Sequence, residues 1–528
     1  MSMIARRSFL AASGAALAFP AGAAEEPKRG GTLVATWGGN EPQALFVPPG
    51  GGTSPFFTST KILERLVRME SDLTFSPLLA TSWKASADSR DYTIGIRPGV
   101  KWHDGQPLTV EDVAFSIGSV WKPISGGIAM KALTGVETKD DRTVVVHFSQ
   151  PLPEFTFLSI LASEPGVILP RHIYGTGDVI TNPANNKPVG TGPWKLKEWV
   201  RGSHVEYERN VDYWRAGLPY MDRLIIRWWG EPAARSAAFE AGELHIGVSN
   251  PVPPPEQKRL AATGKFVVES RGYENYEGTT LIMFNVRHPI LGKREVRQAI
   301  LHGIDRQFIA DTVYFGSASP AVSPLQTGNK MFFDPDVPKY DFDPAKAGKL
   351  LDEAGYPMKG KSRFAVNLVS AGWFSENFKT GAYLKQALTD IGLDVNLTIP
   401  DRPTSIKRLY TDYDFDIAVS NWASPIEPVP TITLYYTTDG IAKGIAFRNA
   451  SGFSSKEMDD IVARMTVETD AAKRRALVDQ FQVLACTEAP ILPMVDIRLN
   501  TVAAANLRNI TVGANMMGEG WAEIWRAA

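Results

Sequence analysis

The sequence predicts an α/β protein of two lobes, and three observations carry that reading. Strand-like and helix-like stretches alternate from about residue 280 to 424, the order that builds a parallel or mixed sheet with helices on its faces. At 528 residues the chain is too long for one ordinary core. Its closing segment "ILPMVDIRLNTVAAANL" is strand-like again and can return to the first lobe, with chain crossings expected near 276–285 and 490–505.

The elements follow in order. "GGTLVATW" (30–37) alternates apolar and polar residues, as a half-buried strand does. A loop rich in glycine and proline leads to "FTSTKILERLVR", where a helix is expected over 57–68. "YTIGIRPGV" and "TVVVHFS" read as short strands around the helical "LTVEDVAFSIGSVW". In that helix Thr109 is a good N-cap, Glu111 and Asp112 oppose the dipole, and Val113, Ile117, Val120 and Trp121 share a face. Residues 189–214 give a turn and a strand pair, "RLIIRWW" a strand, and 231–244 a helix closed by Gly242. Beyond 280, "TTLIMFNV" is a strand, and "KREVRQAILHGI" and "DRQFIADTV" are helices. "DPAKAGKLLDEAG" is a helix ending at Gly355. "RFAVNLVS", a helix over 375–391, "LDVNLTI", a helix near 403–411 and "FDIAVSNW" complete the alternation.

Apolar residues at 44% and charged residues at 21% fit a soluble globular protein, and a net charge of −1 argues against nucleic-acid or anionic-membrane partners. "ARRSFLAASGAALAFPAGAAEE" has the layout of an export signal over residues 1–24, with Arg6 and Arg7 favouring the twin-arginine route and cleavage after Ala23 or Ala24. A periplasmic, soluble protein is expected, since no later apolar stretch reaches the roughly 18 residues of a membrane span. Cys486 is the single cysteine, so no intrachain disulfide forms and no lipid anchor is evident at the cleavage site. Its amphipathic surroundings make it a packed core thiol.

Catalytic and metal patterns are missing. His103, Asp104, Glu111 and Asp112 in "KWHDGQPLTVEDV" read as a turn and a helix start rather than acid–base machinery. The seven histidines show no H-E-x-x-H or similar spacing, so no metal site is expected. There is no phosphate-binding G-x-x-x-x-G-K-[ST] and no G-x-S-x-G. We therefore expect no cofactor and no enzyme, a secreted hydrolase being the remote alternative.

Six stretches in order carry a resemblance: "SWKASADSRDYTIGIRPGVKWHDGQPLTVEDV", "GTGPWKLKEWVRG", "FNVRHPILGKREVRQAILHGIDR", "FDPAKAGKLLDEAGYP", "YDFDIAVSNW" and "EAPILPM". Together the chain resembles the extracytoplasmic solute-binding proteins of ABC importers, family 5, which includes oligopeptide, dipeptide and nickel binders. The resemblance implies a two-lobed periplasmic-binding-protein fold of the Venus-flytrap type (class II, cluster C-like) with an extra subdomain in the first lobe. Lobe I is then expected over 25–70, 189–275 and 500–528, the accessory subdomain over 71–188, and lobe II over 276–499. It also implies a monomer that captures a short peptide or peptide-like solute between the lobes and delivers it transiently to a membrane permease. The alternative cargo is an opine, glycoside or other small organic solute. Nickel is the weaker branch, given the scattered histidines.

Three loops offer ligand contacts. Gly372 and Trp373 follow one strand and precede a helix, where α/β sheets bind ligands. Asn421 and Trp422 end another strand, with Glu427 in the proline-rich loop beyond. Peptide-binding members of the family often carry an aspartate here for the α-ammonium, so the resemblance offers Glu427 as an approximate counterpart. "GGGTSPF" supplies Thr53, Ser54 and Phe56 from the opposing lobe. No arginine is singled out as a carboxylate clamp; Arg402 and Arg448 lie in loops and are expected at the surface.

Overall fold

The computed structural model of the chain describes residues 25–39, 41–46, 53–122, 128–429 and 431–527. The export-signal segment 1–24 and glycines 50–52 of the third candidate loop lie outside the described residues.

Two large sheets organise the molecule. In the first, Thr32–Trp37 lies between Arg223–Arg227 and Ile246–Val248 and is parallel to both. His204–Arg209 and Trp194–Val200 extend one side antiparallel; Thr501–Ala504 and Phe266–Glu269 extend the other. The period-two pattern of "TLVATW" sends Leu33, Ala35 and Trp37 into the core.

The second sheet has the order Ala318–Pro320, Ile491–Ile497, Glu277–Phe284, Ile417–Ser424, Phe364–Ser370, Leu393–Thr398. Its last three strands run parallel, and helix Ser375–Asp390 makes the crossover from Phe364–Ser370 to Leu393–Thr398. Its two central antiparallel strands, Glu277–Phe284 and Ile491–Ile497, are buried along most of their length. The chain leaves the first sheet after Glu269 and enters the second at Glu277, slightly ahead of the expected crossing. It returns between Ile497 and Thr501, inside the expected window.

A third sheet, Ala80–Ala85, Asp91–Ile96, Thr143–Phe148 and Leu133–Asp140, is wholly antiparallel. It shares one core with the first sheet, because Trp102, Trp121 and Phe157 pack in the same cluster as Leu33, Ile62 and Trp194. The second sheet is covered by separate clusters, one around Ile282 and Leu388 and one around Trp422 and Phe481.

One expected element is corrected. Instead of a helix over 57–68 there is a short helix, Thr53–Ser59, then a turn and the strand Val67–Met69. Lys61 and Arg65 are buried, and they donate to main-chain carbonyls of the C-terminal segment: Lys61 Nζ to Met517 O at 3.2 Å, Arg65 Nη2 to Gly518 O at 2.8 Å. An amphipathic helix would have turned these cations to solvent; the returning C-terminus recruits them inward. Cys486 is fully buried, its Sγ 3.3 Å from Val322 O, and burial pushes the thiol up to about 12.

Candidate ligand-binding site

The first and second lobes meet along helix Glu154–Leu161. Thr156 Oγ1 donates to Glu427 Oε2 at 3.0 Å, and the Phe155 ring lies 6.3 Å from that of Phe332. A second crossing contact joins Lys131 Nζ to the Asp439 carboxylate at 2.6 Å, with both groups exposed. The second-lobe strand ends form the candidate site.

Near the end of strand Ile417–Ser424, Asn421 and Trp422 point to opposite faces of the sheet, Asn421 beside Thr280 and Trp422 in the cluster with Tyr435. Asn421 Nδ2 donates to Thr280 Oγ1 at 2.7 Å, while its Oδ1 is buried without a partner. Trp422 is 5% exposed, its ring 4.4 Å from Tyr435, and its Nε1 has no acceptor. Unmatched buried donors and acceptors are costly, so each such atom marks hydrogen-bonding capacity open to water or a ligand.

Gly372 and Trp373 end Phe364–Ser370 and lead into helix Ser375–Asp390. Only glycine fits at 372, since a Cβ there would sit 1.9 Å from Pro400 O; its N–H donates to Ser405 Oγ at 3.0 Å. Trp373 is half-buried, 5.9 Å from the Phe447 ring. From the first lobe, Thr53 and Ser54 open helix Thr53–Ser59, and Phe56 is buried 6.5 Å from the Tyr276 ring.

Glu427 takes a different place from the one the sequence suggested. It is 2% exposed and carries an ion pair with Arg474 at 2.7 Å; Val429 N–H and Thr156 Oγ1 donate to it at 3.0 Å each. Both carboxylate oxygens are therefore engaged within the protein, and the charge that would meet a ligand ammonium is already compensated. Arg474 had no motif to announce it; it lies in helix Ala471–Glu488, 47 residues further on.

Arg448 was expected at the surface and is half-buried instead, whereas Arg402 is exposed. Burial pulls the Arg448 guanidinium below its ordinary value, with Tyr435 and Asp439 acting in the opposite sense. On the first lobe, burial alone pushes Glu164 up to about 8.

The histidine–carboxylate stretch lies elsewhere and serves architecture. Thr109 and Asp112 form a reciprocal capping box, and Asp112 also accepts from Arg171 N–H at 2.8 Å. His103 Nε2 sits 3.0 Å from Gly192 O, and burial brings this imidazole down to about 4. Asp104 meets His172 at 2.8 Å. Among the described residues, Glu198, His204 and Glu206 form the one cluster with metal-ligand spacing. Glu206 Oε1 is already held by Lys197 and Arg223, both at 2.8 Å, so two cations occupy the position a metal would take.

Comparison with known proteins fits this geometry. The model for bacterial extracellular solute-binding proteins, family 5 (middle region), matches residues 74–443. The glutathione-binding protein GsiB of Pectobacterium atrosepticum is 26% identical over 463 residues, 84% of either chain. A putative ABC transporter peptide-binding protein of Brucella ovis is 32% identical over 349 residues, 63% of this chain and 62% of the relative. The oligopeptide-binding protein AppA of Bacillus subtilis, solved with a nonapeptide, superposes with a TM-score of 0.81 at 23% identity, covering 95% of this chain and all of that one. That likeness carries the two-lobed fold. Among the described residues no helix is long and apolar enough to cross a membrane.

Proposed function

This chain belongs to the bacterial extracellular solute-binding proteins of family 5, and from that premise we propose that it is the capture component of an ABC importer for short peptides or peptide-like solutes. It binds its cargo between the lobes and performs no chemistry on it. Residues 1–24 are its export signal, of the twin-arginine type, and the mature chain works in the periplasm as a monomer. Lobe I comprises 25–70, 189–275 and 500–528, with the accessory subdomain at 71–188 and lobe II at 276–499.

One observation carries the reading. The end of strand Ile417–Ser424 offers the aromatic pair Trp422 and Tyr435 at 4.4 Å on one face of the sheet and an unpartnered Asn421 carbonyl on the other. Such a surface receives a partly apolar ligand and fixes its orientation through a few hydrogen bonds. The names of the relatives agree on peptide-like cargo. We assign contacts to Gly372, Trp373, Asn421 and Trp422 from lobe II and to Thr53, Ser54 and Phe56 from lobe I. Thr156 and Lys131 hold the closed arrangement through Glu427 and Asp439, and ligand stabilises that arrangement by binding it better than the open one.

Equilibrium dialysis against a mixed tripeptide pool, read by mass spectrometry, tests the proposal. Peptides retained unchanged support it. Cleavage of the pool, or retention of sugar–amino-acid conjugates with no peptide retained, overturns it.

A further inference from the structure

Contacts between the lobes gather in two places, and only one of them is the hinge. At the crossing segments, Ile426 N–H donates to Asn275 Oδ1 at 2.9 Å and Asn250 Nδ2 to Arg498 O at 3.1 Å, and the Phe56 ring lies 6.5 Å from that of Tyr276. The chain itself already holds those parts together. The second group comes from residues 71–188: Lys131 meets Asp439 at 2.6 Å, Thr156 meets Glu427 at 3.0 Å, and the Phe155 ring lies 6.3 Å from that of Phe332. Leu73 and Phe155 each pack both on the first-lobe core and on the second-lobe cluster around Trp422 and Phe481.

The backbone presenting these groups is fixed locally. Leu73 stands at the tip of a turn with φ +68°, an uncommon conformation for a bulky residue. Its N–H donates to Glu70 O at 2.8 Å, and Asp72 Oδ1 accepts from Thr74 N–H at 3.0 Å. Phe155 and Thr156 lie in helix Glu154–Leu161, whose remaining residues from 156 onward are buried. The contacts also separate without stranding a charge. When Thr156 withdraws, Glu427 keeps Arg474 at 2.7 Å and Val429 N–H at 3.0 Å. Lys131 and Asp439 are 55% and 49% exposed, so both regain water, and salt screens their attraction. Leu73 and Phe155 supply apolar contact, which ionic screening does not weaken.

We infer that residues 71–188 form a clasp on the second lobe that sets how slowly captured solute leaves. The clasp acts through Leu73, Phe155, Thr156 and Lys131, which grip protein rather than solute. The inference rests on the solute-capture reading above and deepens it, giving the accessory subdomain a role in release. Bonds made only in the closed arrangement oppose opening, so they lower the dissociation rate and change association little. One arm of the clasp is ionic and responds to salt; the other is apolar and does not.

The test loads wild type, Lys131→Gln, the exchange Lys131→Asp with Asp439→Lys, and Phe155→Ala with a tripeptide pool. Release after dilution is followed by mass spectrometry at about 20 mM and about 500 mM salt. At low salt Lys131→Gln should release peptide about 2–5-fold faster than wild type, and the exchange should restore the slower rate. At high salt wild type and Lys131→Gln should converge. Phe155→Ala should release about tenfold faster at both salt concentrations. A wild-type release rate in Lys131→Gln or in Phe155→Ala at low salt overturns the clasp while peptide capture stands. So does a Lys131→Gln effect that persists undiminished at high salt. Retention of no peptide by wild type overturns peptide capture and the clasp with it. Lys131→Gln alters only an exposed pair, so its melting temperature without peptide should match wild type, and a large drop would assign the pair to the fold instead.

Discussion

Residues 101–113 and residues 421–449 are both dense in polar and aromatic groups, yet they end in opposite states. In the first, His103, Asp104, Thr109 and Asp112 are each matched by a partner within the protein. In the second, Glu427 and Asn449 are matched, while Arg448, the Trp422 indole and the Asn421 carbonyl are left open. Residue types alone therefore do not mark a site, since the same groups can already be spent on partners within the protein. A stretch that looks catalytic can be an N-cap.

The largest effect that tests this contrast is at the buried pair. Arg474→Met leaves Glu427 charged and without its cation, and should cost about 3–5 kcal/mol of stability, read by denaturant unfolding. Glu427→Gln should likewise destabilise while leaving ligands with and without a free α-amine equally affected. Unchanged stability together with a selective loss of amine-bearing ligands would move Glu427 from the fold to the ligand.

Asp112→Ala comes next. It removes the capping-box carboxylate and strands the Arg171 N–H and the Trp102 indole, and should cost about 1–3 kcal/mol with peptide affinity intact. A loss of affinity at constant stability would make the accessory subdomain part of the site.

The smallest effect is the pH dependence from His103. Its folded value of about 4 lies below the unfolded value near 6.5, so the unfolded chain takes up the proton first. Stability from this group is complete above pH ~6.5 and declines as pH falls toward 4, by about 1–2 kcal/mol after allowing for partial exposure. In His103→Gln that share of the acid loss should vanish, seen as a flatter dependence of melting temperature on pH between ~4 and ~6.5. An unaltered profile would mean the imidazole is solvated and the turn is not part of the buried architecture.

Much of the fold was legible because it is local. The helix at Val110–Phe115 follows from Thr109 and Asp112 three residues apart, and the crossover around Ser375–Asp390 from the alternation of strand and helix patterns. The helix expected over 57–68 failed where a distant partner intervened: Lys61 and Arg65 answer to carbonyls more than 450 residues away. The site divides the same way. Gly372, Trp373, Asn421 and Trp422 could be chosen because ligands gather at strand ends. Which charges stay unpaired could not be read there, since that depends on where every competing carboxylate is placed.

The sequence by itself determined the alternating sheets, the caps and the family. The tertiary structure alone decided which charges remain available, because that depends on partners brought together from far along the chain. Thr156 meets Glu427 across 271 residues, and Lys131 meets Asp439 across 308. Both acids are thereby engaged within the protein.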